Sequence, residues 1–379
     1  MKYLSVFSGI GGLEGTEPPV LLCESDGNTA NVLNTLYPLI DVHPDIGTLE
    51  PPEVDVVAGG WPCQDLSIAG QQAGLSGLQS GLLLEMLRVS IQAKAHTVVA
   101  ENVPNLLRLR NGLEFQASLE AFHEAGFPFV AWRMLNAREF GLPQNRSRIL
   151  LVASKHKEIT WTLLNRELPG ISKDAVDPAL KEKAAGFYWT AGTHSINYSR
   201  GYVPTIKIGS SAEIPSPPAV HYGDVIRRLS PLEALRLQGF DKLELDVFKS
   251  PTEAYKAAGN AVAKPIGNWV MDGLSEKVDE PDWLDVQEEL LPDAVLFTRH
   301  PEVGMSHEGY VIGARVPLGE WATNLYDFLD LSSTERLSSR ASSGLLRRLD
   351  RSGNPCPEDL RCLLEERAKC ENGATADAS

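Results

Sequence analysis

Four short stretches hold the side chains best suited to do chemistry. In GGWPCQDLS, residues 59–67, Cys63 stands between a proline and a glutamine, directly after the apolar run VDVVAGGW. An apolar run that empties into Gly-Gly and Pro reads as a strand ending in a tight loop. A thiol there sits at a strand's carboxyl end, where open α/β sheets keep their ligands. A free cysteine is more often a small buried hydrophobe, so position alone leaves both roles open. TVVAENVPNLL, residues 97–107, delivers Glu101 and Asn102 to a strand end before Pro104 intervenes. A turn-forming acid has the same look. In GLPQNRSRILLVA, Gln144, Arg146 and Arg148 alternate, and alternating side chains on a strand share a face. A strand edge blunted by charge would show the same pattern. SVFSGIGGLEG places Gly9 and Gly11 in a dinucleotide fingerprint, but Glu14 occupies its third glycine position, so that motif fails. Farther on, Glu24 ends PVLLCE, where a carboxylate can accept hydrogen bonds from ribose hydroxyls. A glycine loop with such an acid, but no pyrophosphate fingerprint, suggests a nucleoside cofactor.

The elements that must position these residues follow from periodicity. KYLSVF, PVLLC, VDVVAG, TVVAEN and RILLVAS read as strands, and SGLLLEMLRVSIQAKA and LEFQASLEAFHEAG as helices. Their alternation implies an α/β fold with a mostly parallel sheet covered on both faces. From about 154 to 226 the pattern gives way to a Gly-, Ser-, Tyr- and Pro-rich, irregular and mostly β insert, with YVPTIKIG as a short strand. SPLEALRLQGF reads as a capped helix with Ser230 as N-cap, Pro231 at the first position and Glu233 three residues after the cap. AYKAAGNAVAKPIGNWVMDGL reads as a helix broken near Gly259 and Asn260.

Bulk properties bound the rest. The chain has 379 residues, 43% hydrophobic and 22% charged, the mix of a soluble globular protein of two to three domains. It has no run of 18 apolar residues, so no transmembrane helix is expected, nor is a signal peptide. Five scattered cysteines argue for a reducing compartment and against a disulfide framework, and they lack the spacing of a zinc site. The net charge of −15 excludes a uniformly basic nucleic-acid binder but not a local basic groove. Much of the acidity lies in EKVDEPDWLDVQEELLPD, residues 276–293.

Taken in order, FSGIGG, ESD, PDIGTL, GGWPCQDLS, SGLLLEMLRV, AENVPNLL, FGLPQNRSRILLVA, RRLSPLEALRLQGF and AGNAV resemble the 5-cytosine DNA methyltransferases. The resemblance spans residues 4 to 271. It implies a Rossmann-like methyltransferase sheet, S-adenosylmethionine as methyl donor, and double-stranded DNA as substrate. Residues 1–153 plus 255–275 would form the catalytic domain and 154–254 a small, mostly β target-recognition domain. Residues 276–379 would form a C-terminal extension of unassigned role, opening with an acidic linker over 276–294 and ending in a disordered tail near 371–379.

By the same resemblance Cys63 is the nucleophile that attacks carbon 6 of cytosine. An unperturbed thiol is only a few per cent ionised at neutral pH, so its surroundings must favour the thiolate. Glu101 would hold nitrogen 3, Arg148 the exocyclic oxygen, and Arg146 the site or a nearby phosphate. Phe7, Gly9, Ile10 and Gly12 would form the first cofactor loop, Glu24 would take the ribose, and Ser25, Asp45 and Ile46 the adenine. Pro62 and Leu82 would lie near the methionine part, with Asn260 and Val262 closing the pocket. Gln64, Ser67, Gln144, Arg200, Thr205 and Lys207 are the candidate DNA contacts, with Tyr198 beside them. The target base must leave the duplex, and the Gly-rich loop after Cys63 would close over it. No metal is implied. The expected setting is a cytoplasmic, nucleoid-associated monomer, with a companion restriction endonuclease acting separately. Two other readings stay open, a tRNA cytosine-5 methyltransferase and a catalytically silent DNA-binding relative. Gln79 stands where relatives commonly carry arginine, and Ser25 where many carry a larger side chain.

Overall fold

The apolar runs pair much as their periodicity suggests. The structure, a computed structural model, describes residues 1–61, 81–169, 183–188, 196–207, 218–281, 303–307, 310–314, 324–352 and 356–369. Along the chain the strands are β1 (Tyr3–Val6), β2 (Leu21–Cys23), β3 (Val42–His43), β4 (Val56–Gly60), β5 (Thr97–Asn102), β6 (Phe129–Asn136), β7 (Gln144–Asn145) and β8 (Ser147–Ser154). They continue as β9 (Ala185–Phe187), β10 (Ser199–Arg200), β11 (Val203–Pro204), β12 (Ala219–Tyr222), β13 (Val225–Arg228), β14 (Val303–His307) and β15 (Tyr310–Ala314). The described residues divide into two compact units. The first takes 1–136, 147–168 and 261–319, and the second 137–146, 169–260 and 320–379.

The first unit is built on a nine-stranded sheet in the order β15-β14-β6-β8-β5-β4-β1-β2-β3. From β3 to β5 the neighbours are parallel. From β5 to β15 they are antiparallel, so the sheet is mixed rather than mostly parallel. Chain length explains part of this. A parallel crossover needs a dozen or more residues, whereas only residues 137–146 separate β6 from β8. The central strands β4 and β5 are buried almost throughout, which is why they read as unbroken apolar runs.

Alternation along β6 shows that helices cover both faces. Trp132 points into the cluster containing Phe115 and Phe122 and meets the Phe115 ring edge-on at 5.2 Å. Phe115 belongs to the helix Leu113–Glu124. Arg133, the next residue, turns to the opposite face. Its Nη1 donates to the carbonyls of Leu163, Leu164 and Arg166, at the end of the helix Lys157–Asn165. A guanidinium there satisfies carbonyls that have no partner within the helix. Residues 157–165 were expected in the irregular β insert. They are helical and belong to the first unit.

The second unit has a four-stranded sheet, β10-β9-β12-β13, and a parallel pair, β11-β7. Its core joins Phe187, Ile196, Ala219 and Ile226 to Leu337, Leu345, Leu349, Leu360 and Leu364. The leucines lie on and just before two helices, Ser339–Ser352 and Glu358–Lys369. Leu345 and Leu349, and Leu360 and Leu364, are four apart, so each pair shares one helix face. Full burial of each contributes on the order of 1.5–3 kcal/mol. Arg340, Arg347 and Arg351 remain exposed on the first of these helices. The stretch read as one C-terminal extension is thus divided, with β14 and β15 in the first unit and both helices in the second. The Ser230 capping box forms as its sequence implies, with Pro231 in the first turn.

Candidate active site

The loop after β1 is bent by its backbone. Phe7, Gly9 and Gly11 all take left-handed φ, at 52°, 56° and 83°. Glycine does so freely, but Phe7 is strained there. Glu24, just past β2, fixes the bend: the N–H of Gly9 donates to Oε2 at 2.8 Å and that of Asp26 to Oε1 at 2.8 Å. Each oxygen keeps a further lone pair. A Cβ at Gly9 would meet nothing within 4 Å, so the bend opens on space, whereas one at Gly12 would lie 2.3 Å from the carbonyl oxygen of Val262. Ile10 is buried beneath the loop, and Phe7 and Leu82 pack on the sheet's core.

Two interactions that hold this loop were not foreseen. Glu14, at the failed fingerprint position, is fully buried and accepts from Ser5 Oγ at 2.6 Å. Burial pushes its carboxyl up, and Lys264 and Ser5 pull it back only partly. Lys264 donates from Nζ to the carbonyl oxygens of Gly11 and Glu14, at 2.9 and 3.1 Å, and to the Tyr37 hydroxyl at 3.3 Å. Burial lowers its ammonium, opposed by Glu14 and Asp272. A second staple lies after β3. Asp45 accepts from Gly47 N–H at 2.9 Å, and Arg88 Nη2 donates to the Ile46 carbonyl at 2.5 Å. Asp45 and Ser25 are exposed and Ile46 is buried. An exposed acid, a carboxylate with spare acceptor capacity and a bend left open at Gly9 suit a nucleoside with a ribose diol. The residues present therefore fit S-adenosylmethionine.

Beside this region β4 and β5 end together, Gly60 opposite Glu101. A Cβ at Gly60 would come within 2.8 Å of Glu101 Oε2, so glycine leaves room for that carboxyl. Glu101 pairs with Arg148 of β8, Nε to Oε1 at 2.8 Å, with side chains only 11% and 12% exposed. Asn102 donates from Nδ2 to the Trp61 carbonyl at 3.1 Å and accepts from Val103 N–H at 2.8 Å. It therefore fixes the chain one residue before Pro62. The Glu-Asn-Val motif was visible in the sequence, but the positioning duty of Asn102 was not. Pro62, Cys63, Gln64 and Ser67, with the loop that follows them and Gln79, lie outside the described residues.

The alternating trio 144, 146 and 148 does not act as one face. Arg146 is buried and donates from Nη1 to Ile206 O at 3.0 Å and from Nη2 to Gly259 O at 2.9 Å, all within the second unit. Its guanidinium anchors backbone rather than reaching for a phosphate. Gln144 is fully buried. Its Nε2 donates to the Leu237 carbonyl and its Oε1 accepts from Ile206 N–H, so this amide is spent inside the unit rather than presented to DNA. Thr205 Oγ1 donates to the Asn145 carbonyl at 2.7 Å. Lys207 is exposed, with Nζ 4.7 Å from the Tyr188 ring centre. Arg200 is exposed beside Tyr198. Asn260 ends a helix, Pro251–Asn260, in the second unit, while Val262 belongs to the first.

Residues 1–183 match the family model described as C-5 cytosine-specific DNA methylase. Over 93% of this chain and 94% of its own length, the Type II methyltransferase M2.BsuMI of Bacillus subtilis (strain 168) is 33% identical. The Type II methyltransferase M.Bsp6I of Bacillus sp. (strain RFL6) is 30% identical over 70% of this chain and 96% of its own. A crystal structure of DNMT2 from Spodoptera frugiperda covers 73% of this chain and 99% of its own at a TM-score of 0.52 and 17% identity, a likeness of fold.

Proposed function

This chain belongs to the C-5 cytosine-specific DNA methylase family, a family of S-adenosylmethionine-dependent methyltransferases that act on DNA; from that premise we propose how its own residues perform the reaction. The substrate is a cytosine turned out of duplex DNA, and carbon 5 is the acceptor. Bound S-adenosylmethionine supplies an electrophilic methyl group; the bend around Gly9, with Glu24 and Asp45, would hold its nucleoside.

Carbon 5 of cytosine is a poor nucleophile. Attack of the Cys63 thiolate on carbon 6 forms a carbon–sulfur bond and makes carbon 5 electron-rich. The charge that develops on the ring must be met at its pairing edge. Glu101 would hold nitrogen 3, and Arg148 the exocyclic oxygen. An incoming base would compete for the carboxyl and guanidinium that now hold each other at 2.8 Å. Once carbon 5 carries the methyl group it loses its proton to water, the C5–H electrons reform the ring double bond, and the carbon–sulfur bond breaks with its electron pair returning to sulfur as the thiolate. Positioning would supply much of the acceleration, with the Gly9 loop and the Glu101–Arg148 pair holding donor and acceptor in one site.

The observation that carries this reading is the Glu101–Arg148 pair beside the strand end from which Trp61 leads to Pro62 and Cys63. The second unit would read the DNA sequence, and a companion endonuclease would act on sites left unmethylated. Bisulfite or nanopore sequencing of DNA from cells expressing the gene tests the assignment. It should show 5-methylcytosine in one short motif. Unmodified DNA alongside methylated transfer RNA would overturn it.

A further inference from the structure

The second unit holds a cavity of about 450 Å³ that takes no part in methyl transfer, although Arg200 and Tyr198, two of its lining residues, were read as DNA-facing. One wall is Tyr198. Its hydroxyl lies 2.8 Å from His221 Nδ1, and His221 Nε2 lies 3.2 Å from the Gly223 carbonyl. One neutral tautomer satisfies both contacts, with Tyr198 donating to Nδ1 and Nε2–H donating to Gly223. The Phe187 ring backs Tyr198 at 6.0 Å. Tyr326 lines it too, edge-on to Tyr222 at 6.2 Å. Tyr222 is itself fixed, since its hydroxyl accepts from Arg227 Nε at 3.1 Å.

Each of these two tyrosines has a cation near its ring. Arg200 Cζ lies 5.7 Å from the Tyr198 ring centre, and Lys183 Nζ lies 5.7 Å from that of Tyr326. Both cations are exposed. The acid at the rim is Asp359, 4.0 Å from Arg200 Nη2, a separation that binds the guanidinium weakly in water. Braced aromatic faces flanked by cations are the chemistry that takes a planar base together with its phosphate. The volume falls within the range of small-molecule sites.

We propose that this cavity binds one nucleotide, its base against Tyr198 and Tyr326 and its phosphate between Lys183 and Arg200. Tyr326 and Asp359 come from the C-terminal stretch to which the sequence assigned no role, so the site would give that stretch a role apart from methyl transfer. The nucleotide is either free or an unstacked member of a DNA strand. The site needs neither Cys63 nor the cofactor loop, and its test is independent of catalysis.

Two fluorescent probes distinguish the sources: 2-aminopurine deoxyribonucleoside 5′-monophosphate, and a duplex with a single 2-aminopurine in an overhang. Each is titrated into the full-length protein with saturating S-adenosylhomocysteine, so that the loop at Gly9 cannot account for binding. Saturable quenching is expected, weakened about tenfold or more in Lys183→Ala/Arg200→Ala and in Tyr326→Leu. Excess inorganic phosphate should displace the probe poorly. Tighter binding of the overhang identifies a strand as the source, and tighter binding of the monophosphate identifies a free nucleotide. No saturable quenching with either probe would overturn the proposal. So would equal affinity in the Lys183/Arg200 variant, whose exposed positions spare the fold, or equal displacement by phosphate alone.

Discussion

The two units solve different problems with different architecture. In the first, the groups proposed for chemistry stand at or near the ends of parallel strands of one sheet: Glu24 after β2, Glu101 in β5, and Trp61 after β4, two residues before Cys63. The sheet sets their spacing, and short staples from Lys264, Arg88 and Asn102 hold the loops between them. In the second unit, two- to four-residue strands pack against leucines more than a hundred residues away in sequence. Its centre is a buried ion pair, Arg227 with Glu233, whose carboxylate also accepts from the N–H groups of Ser230 and Asp330. A regular sheet gives precision to chemistry. A small unit of irregular strands leaves its surface free to vary and gains its order from buried polar contacts.

If that contrast is right, changes in the two units should fail in different ways. The largest effect belongs to the first. Glu101→Gln should slow methyl transfer by roughly 10²- to 10⁴-fold, while duplex binding persists in a gel-shift assay. Loss of both together would mean that the pair is structural. Next comes Arg227→Met, which leaves Glu233 buried without its partner. Breaking such a pair costs about 3–5 kcal/mol. Urea unfolding should show that loss, with hydrogen exchange rising first in the helices 339–352 and 358–369. A uniform rise across β4 and β5 would erase the distinction between the units.

A smaller effect is expected at Gly12. The methyl group of Gly12→Ala would meet the Val262 carbonyl at 2.3 Å, and overpacking of this kind costs about 1–3 kcal/mol. Calorimetry should find S-adenosylmethionine binding about tenfold weaker, with DNA affinity retained. Unchanged cofactor affinity would remove the loop from the site.

The smallest effect is a pH dependence in the second unit. Burial holds His221 below the usual histidine range, and Arg200 adds to this, although Asp359 and the Gly223 carbonyl oppose it. Above about pH 6.5 both folded and unfolded forms are neutral. As pH falls through that value and then the lower folded value, the unfolded chain takes the proton first and stability is lost. His96 of the first unit shifts the same way, again chiefly by burial. The melting midpoint should therefore drop between pH 7.5 and 5.5, and His221→Gln should remove part of the drop. An identical profile for the variant would show that His221 does not titrate in this range.

What could be read from the sequence follows the same division. Strands that end in glycine or an acid announce themselves locally, so the Gly9 bend, Glu24 and Glu101 were legible, as was the Ser230 cap. Pairings between distant segments carry no local signal. The antiparallel turn of the sheet at β8, the addition of β14 to β6, and the reach of Lys264 to Gly11 across 253 residues were not foreseen for that reason. The alternation of Gln144 and Arg146 marks a shared face without saying whether that face meets solvent or core. Their amide and guanidinium groups turned out to be buried and bound to backbone.

The central claim is a transient bond between Cys63 and carbon 6 of an extruded cytosine. Duplex DNA with 5-fluorocytosine at the methylated position tests it most directly, because fluorine cannot leave as a proton does. With S-adenosylmethionine present, the protein should form a complex that survives denaturing electrophoresis, and Cys63→Ser should not. An enzyme that methylates ordinary DNA yet traps no fluorinated substrate, or traps it equally well without the Cys63 sulfur, would contradict the account.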